Sequence, residues 1–167
     1  MVDAQVQTGN KDVTGALASV SDPEIPVLTI LDMGIVRAVT VDGKRAHVDI
    51  TPTYSGCPAM DMIQDQVKSA LEDAGFEATV NLVLAPAWTT DWITEDGRRK
   101  LEEYGIAPPL TAELDKMALL DEKKVVKCTN CGSTNTKLVS QFGSTPCKAL
   151  FKCEECLEPF DYFKCLK

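Results

Sequence analysis

A single histidine, two tryptophans and an aromatic content of 6% in 167 residues remove whole classes of chemistry. There is no Glu-x-x-His pair, which excludes a di-iron site of the helix-bundle kind, and no Gly-x-Gly-x-x-Gly for a dinucleotide. The longest apolar stretch, Leu82 to Trp88, is far short of a membrane span. Residues 1–10 also lack the cationic-then-apolar order of a secretory or transit peptide, so we expect a cytoplasmic protein with no membrane contact. Basic residues are few where most of the chain lies: 9 Lys and Arg face 19 Asp and Glu up to Leu120, within a net charge of -8. Phosphate neutralisation needs a basic face, so nucleic acid is excluded as a partner and another protein is expected.

What the chain does have is an ordinary globular balance, 44% hydrophobic and 25% charged, and seven cysteines. In a reducing cytosol that many thiols point to metal or redox chemistry rather than disulfides. Cys57 stands alone, whereas Cys128, Cys131, Cys147, Cys153, Cys156 and Cys165 crowd the last forty residues. The charge changes sign there too, with 8 Lys against 6 acids from Asp121 onward. Together these features predict an α/β domain over 1–110, a linker or spacer helix over 111–124, and a small metal module over 125–167.

Hydropathy periods sketch the first domain. Asn10 caps a short helix carrying Val13, Ala16, Leu17 and Val20 on one face, and Ser21-Asp22-Pro23 stops it. An extended Pro-containing segment runs from Asp22 to Leu31. Ile35–Val41 and Arg45–Thr53 flank Asp42-Gly43 as a hairpin. Met60, Ile63, Val67, Ala70, Leu71 and Ala74 keep helical period between Pro58 and Gly75, and Val80–Leu84 reads as a third strand. The fold class is therefore a small mixed sheet layered with helices. Further helices are expected over Arg98–Tyr104 and Leu110–Leu120.

In the tail, Cys128-x-x-Cys131 and Cys153-x-x-Cys156 are separated by 21 residues, with strands expected over Lys137–Phe142 and Lys148–Lys152. Each unit puts two thiolates on one turn, and two units converging on one ion make a closed tetrahedral site, a zinc ribbon. Such a site is structural, because no position stays open for a catalytic water. Four thiolates could also hold an iron-sulfur cluster. Cys147 and Cys165 read as buried thiols, with a redox pair or a second metal site as alternatives.

Cys57 follows Thr51-Pro-Thr-Tyr-Ser-Gly at a helix N-cap, where dipole and free N–H groups are expected to favour the thiolate. Asp22 and Glu24 offer carboxylates that could meet it, or form only a Pro-stiffened turn. His47, on the polar face of its strand, is a poor partner for a Cys-His nucleophile. Trp88 and Trp92 suit either an interface anchor or a cover over the sheet end.

Asp22-Pro-Glu-Ile-Pro26, Leu31-Asp-Met-Gly-Ile-Val36 and Thr51-Pro-Thr-Tyr-Ser-Gly-Cys-Pro58 resemble the domain of SufT-like iron-sulfur assembly factors. Ala87-Trp-Thr-Thr-Asp-Trp92, Glu103-Tyr-Gly-Ile-Ala-Pro-Pro109, Phe142-Gly-Ser-Thr-Pro-Cys-Lys-Ala-Leu-Phe151 and Glu158-Pro-Phe-Asp-Tyr-Phe-Lys-Cys165 resemble the PaaD family of the phenylacetyl-CoA epoxidase system in phenylacetate degradation. The resemblance covers nearly the whole chain. It implies that Cys57 is the functional thiol and that the protein supplies iron or iron-sulfur clusters to epoxidase components. Among these are an iron-sulfur flavoprotein reductase, expected as the first partner, and a di-iron oxygenase. One cysteine cannot enclose a cluster that wants four ligands. Either two copies pair as a homodimer, or Cys57 gives one ligand to a transient site completed by Asp22, Glu24 or the recipient's thiols. The leading expectation is a non-enzymatic assembly factor, ahead of a non-catalytic structural or regulatory part of the epoxidase complex and of a Cys-dependent enzyme.

Overall fold

The computed structural model describes residues 10–120 and 124–164, so Cys165 lies outside the described residues. The chain forms two compact units, 1–94 and 95–167. Among the described residues no helix is long and apolar enough to cross a membrane.

The first unit opens with α1 (Lys11–Ala18), whose first turn is held by the Asn10 side chain accepting from the Asp12 N–H at 3.0 Å. Val13 and Leu17 are fully buried, as their spacing predicts. The segment after it is not extended. The carboxylate of Asp22 accepts from the Glu24 and Ile25 N–H groups at 2.7 and 2.8 Å, folding the Pro-containing stretch into a tight turn. β1 (Val36–Asp42) and β2 (Arg45–Ile50) form the expected antiparallel hairpin. α2 (Ala59–Asp73) then carries the chain over the sheet to β3 (Glu77–Leu82), which lies parallel to β2. The order β1-β2-β3 makes the sheet mixed. Met60, Ile63, Val67 and Leu71 form one buried stripe of α2. Full burial of such side chains stabilises by about 1.5–3 kcal/mol each, which anchors the helix whose N-terminus follows Cys57.

The Leu31-Asp-Met-Gly34 motif is structural. Asp32 accepts from the Thr29 N–H and hydroxyl at 3.0 and 2.9 Å. Gly34 has φ 66°, and a Cβ there would strike the Trp92 carbonyl oxygen and lie 2.8 Å from the Trp92 Cβ. Trp88 is buried and donates its Nε1–H to the Met33 carbonyl at 2.8 Å. Trp92 is half-buried beneath the Arg37 guanidinium, 3.6 Å from its ring centroid. The tryptophan pair is thus packed into this unit, with Trp88 in the core.

The second unit begins with α3 (Glu95–Tyr104) and β4 (Ile106–Ala107). β4 pairs in parallel with β7 (Pro159–Phe163), so the segment expected at the end of the first domain is paired inside this unit. α4 (Ala112–Leu119) is not a free spacer: Ala118 and Asp115 are buried, and Asp115 accepts from the Tyr162 hydroxyl at 2.6 Å. β5 (Thr136–Ser140) and β6 (Lys148–Cys153) complete an order β4-β7-β6-β5. Phe151 packs edge-on to Tyr162, with centroids 5.5 Å apart, beside Phe160, Val126, Cys128 and Cys153.

Candidate metal centre and thiol site

The two C-x-x-C units meet as their spacing predicts. The four Sγ atoms of Cys128, Cys131, Cys153 and Cys156 lie within 4.8 Å of one another. The pairs Cys128–Cys156 and Cys131–Cys153 are 3.6 and 3.5 Å apart. Four sulfurs held tetrahedrally by an ion at about 2.3 Å sit about 3.8 Å apart, so the donor set and spacing fit a zinc ion. Cys153 and Cys128 are buried at the head of the aromatic core, while Cys131 is exposed.

Backbone geometry explains the two turns. Each C-x-x-C is followed by a residue at positive φ, Gly132 at 75° and Leu157 at 66°. That conformation turns the next amide back: the Ser133 N–H bonds the Cys131 sulfur and the Glu158 N–H that of Cys156. With the Glu158 N–H and Asn130 side chain behind it, the Cys156 thiol falls to about 6. For Cys131 the Ser133 N–H also acts downward, but hydrogen bonding with Cys153, desolvation and the remaining thiols overcome it and push it up to about 12. Four adjacent thiols do not all ionise by themselves, whereas a divalent cation stabilises all four thiolates.

Gly132 is the residue expected at such a turn; Leu157 is not, and its side chain is exposed. A branched side chain in the left-handed region costs about 1–2 kcal/mol. Leu157→Gly is therefore expected to stabilise the second unit by about 1 kcal/mol, because relief of strain outweighs the added freedom of the unfolded glycine. A denaturant midpoint followed by near-ultraviolet circular dichroism checks this, and an unchanged midpoint would contradict it.

Cys147 does not join the cluster. It is buried at the start of β6, with its sulfur 3.1 Å from the Thr145 hydroxyl. The sequence-based alternative of a second metal site with Cys165 falls partly outside the described residues.

Cys57 is positioned by the loop between β2 and α2. Its N–H donates to the Tyr54 carbonyl at 3.3 Å, and its carbonyl accepts from the Met60 N–H at 3.3 Å. The helix N-cap is Pro58, one residue later than expected, so Cys57 precedes the cap. The sulfur is half-buried. Its environment reverses the expected shift: burial pushes the thiol up from its ordinary value, the Ala59 N–H and Tyr54 side chain pull it down, and the charges of Glu24 and Asp22 push it up again. Neutral thiol is the resting form. Alkylation at neutral pH is accordingly expected to be slower than for an unperturbed thiol, rising as pH climbs beyond the ordinary thiol range. Glu24→Gln should speed it by removing a charge that opposes the thiolate. Peptide-resolved mass spectrometry of labelling against pH tests both, and faster-than-normal labelling at pH 7 would refute the protonated resting state.

Asp22 and Glu24 are thus electrically coupled to Cys57. Among the described residues, however, the four tail cysteines are the one group of three or more His, Cys, Asp or Glu side chains close enough to share an ion. His47 contacts Asn81 at 2.9 Å and Asp49 at 3.3 Å on the open strand face. Sequence reasoning overlooks Tyr54 as a partner of the thiol, although it lies in the same motif three residues before Cys57. It also overlooks Thr51, buried at the end of β2 with its hydroxyl unpartnered among the described residues.

Comparison with known proteins covers both units. Residues 10–82 match the family described as iron-sulfur cluster assembly protein, and residues 113–164 the PaaD zinc beta ribbon domain. Over 93% of this chain and 92% of the relative, the sequence is 49% identical to a protein of Escherichia coli (strain K12) named as a subunit of the 1,2-phenylacetyl-CoA epoxidase. It is 38% identical to the Fe-S protein maturation auxiliary factor YitW of Bacillus subtilis (strain 168), over 48% of this chain and 81% of that protein. A crystal structure of a domain of unknown function, DUF59, from Bacillus anthracis aligns with TM-score 0.50 and 30% identity, covering 53% of this chain and 87% of that one.

Proposed function

The chain belongs to the PaaD family of phenylacetyl-CoA epoxidase subunits, and from that premise we propose a non-enzymatic accessory factor that assists assembly or delivery of iron or iron-sulfur clusters to the epoxidase system. Its first recipient is the iron-sulfur reductase, its workplace the cytoplasm, and Cys57 its transient ligand. The observation that carries this reading is the contrast between the two thiol environments. The tail cysteines form a complete four-ligand set that keeps what it binds, whereas Cys57 offers one thiol in a loop of the assembly-protein domain.

An incomplete site suits a carrier. Glu24 and Asp22 oppose the Cys57 thiolate, and the same charges favour an incoming iron cation, which replaces the thiol proton. Cargo held by one thiolate and neighbouring carboxylates passes readily to a recipient presenting more cysteines. The tail set, in contrast, would hold zinc through all four thiolates, and the ion supplies a cross-link between the two turns rather than chemistry.

Purifying the epoxidase components from cells with and without this protein, then measuring iron, sulfide and turnover, tests the proposal. Iron-depleted components from the deficient cells are expected; fully loaded ones would sink it. The name of the Escherichia coli relative favours a second reading, a structural subunit of the working complex. That reading requires stoichiometric co-purification with loaded components.

A further inference from the structure

β3 is an edge of the three-stranded sheet. Its parallel register with β2 runs from Arg45↔Glu77 to Ile50↔Leu82 without a bulge. The Glu77 N–H donates to the Lys44 carbonyl at 2.7 Å and the Val83 N–H to the Ile50 carbonyl at 2.8 Å, so odd-numbered residues turn their backbone groups toward β2. Ala78, Val80 and Leu82 therefore present theirs outward. Exposed edges are usually blunted by Lys, Pro or a bulge. β3 has none of these, residues 78–90 carry no charge, and Leu82 and Leu84 are 44% and 64% exposed.

We propose that two copies of this chain associate through antiparallel pairing of their β3 strands about a twofold axis near Val80, extending two three-stranded sheets into one of six. The edge is self-complementary. All outward positions have the same parity, so Val80 meets Val80 of the second copy, Ala78 meets Leu82, and every outward N–H finds a carbonyl. Charge follows the same symmetry. Asp65 and Lys68 of α2 line the groove beside Ala78 and Val80, and Lys68 keeps only a long, exposed contact of 3.9 Å with Glu72 of its own helix. An axis normal to the sheet keeps both α2 helices on one face and runs them in opposite directions, which sets each Asp65 toward the other copy's Lys68. A strand from an unrelated protein has no reason to match that order. The net charge of -8 per chain opposes association at low salt and is screened at about 0.15 M.

Such a dimer does not depend on the cluster-delivery role, but it constrains how that role is performed. Cys57 follows the C-terminal end of β2, which is parallel to β3, so antiparallel pairing sends the two Cys57 loops to opposite ends of the joined sheet. The copies therefore do not pool their Cys57 thiols, and the recipient completes the ligand set.

Sedimentation of the full-length, metal-loaded protein in reducing buffer at about 0.15 M salt is the test. The expected mass at high concentration is twice 18.2 kDa, with amide exchange at Val80 slowed relative to dilute protein. Asp65→Lys should weaken self-association at least tenfold by facing Lys68 with a like charge, and Asp65→Lys combined with Lys68→Asp should restore it. Leu82→Pro, which removes one outward donor, should also favour the monomer; circular dichroism verifies that each variant is folded. A monomer at every concentration, or a dimer indifferent to the charge exchange, would overturn the proposal, as would Val80 protection seen only with a different protein bound.

Discussion

Cys153→Ser is expected to release the metal and unfold the second unit while the first stays folded. Cys153 is fully buried, its sulfur lies 3.5 Å from that of Cys131, and the same residue is part of the core with Phe151, Phe160 and Tyr162. Structural zinc supplies on the order of 10–16 kcal/mol of apparent binding free energy to small modules, against about 5–15 kcal/mol for the net stability of a typical domain. Losing a ligand therefore costs about as much stability as the unit has. The chain carries convenient reporters, since its two tryptophans, Trp88 and Trp92, both fall in the first unit, while Tyr162 reports on the second. Elemental analysis should fall from about one zinc per chain to none, and near-ultraviolet dichroism from Tyr162 should collapse with tryptophan fluorescence unchanged. Chelation of the native protein should reproduce the effect. Stoichiometric iron and sulfide that depend on Cys131 rather than Cys57 would instead identify a cluster in the tail.

Cys57→Ala should do the opposite, leaving both units and the zinc intact and abolishing support for cluster maturation. The thiol is half-buried in a loop, and the adjoining helix is anchored by Met60, Ile63, Val67 and Leu71 rather than by sulfur. Loss of one small loop side chain is worth less than about 1 kcal/mol here, well within the spread for substitutions away from a core. Under the proposed role, by contrast, loss of the thiol leaves only the carboxylates of Asp22 and Glu24 beside the cargo, too little to carry it. Recipient iron content in cells making the variant is expected to match that of cells lacking the protein, with the variant present at normal abundance. If Cys57→Ala supports full loading, the transfer role of this thiol is refuted.

Much of the fold and of the metal centre is legible in the sequence alone. Hydropathy alternation locates β1 and β2, helical period locates α2, and the C-x-x-C spacing places four sulfurs around one point, because each of these features is local or governed by short-range geometry. The departures share a different cause. Proline content suggests an extended segment at Asp22, but a carboxylate that accepts from the N–H groups two and three residues later folds the chain onto itself. A helix start suggests a more acidic Cys57; desolvation and two acids distant in sequence outweigh one amide and Tyr54. α4 reads as a spacer because it stands between the α/β domain and the cysteine-rich tail, whereas its packing involves an Asp115–Tyr162 hydrogen bond spanning 47 residues. No sequence signal announces Leu157 at positive φ; only its correspondence to Gly132 after the paired C-x-x-C unit does.

The most direct test of the accessory role is an order-of-addition measurement. Epoxidase components are prepared already loaded with iron and sulfide, and turnover is measured before and after adding this protein. In parallel, iron-depleted reductase is incubated with an iron and sulfide source and either native protein or Cys57→Ala. An accessory factor predicts no change in turnover of the loaded components, and faster cluster gain by the depleted reductase with native protein alone. Turnover of fully loaded components that requires this chain in stoichiometric amount, with cluster gain indifferent to Cys57, would contradict it and make the protein a working part of the enzyme instead.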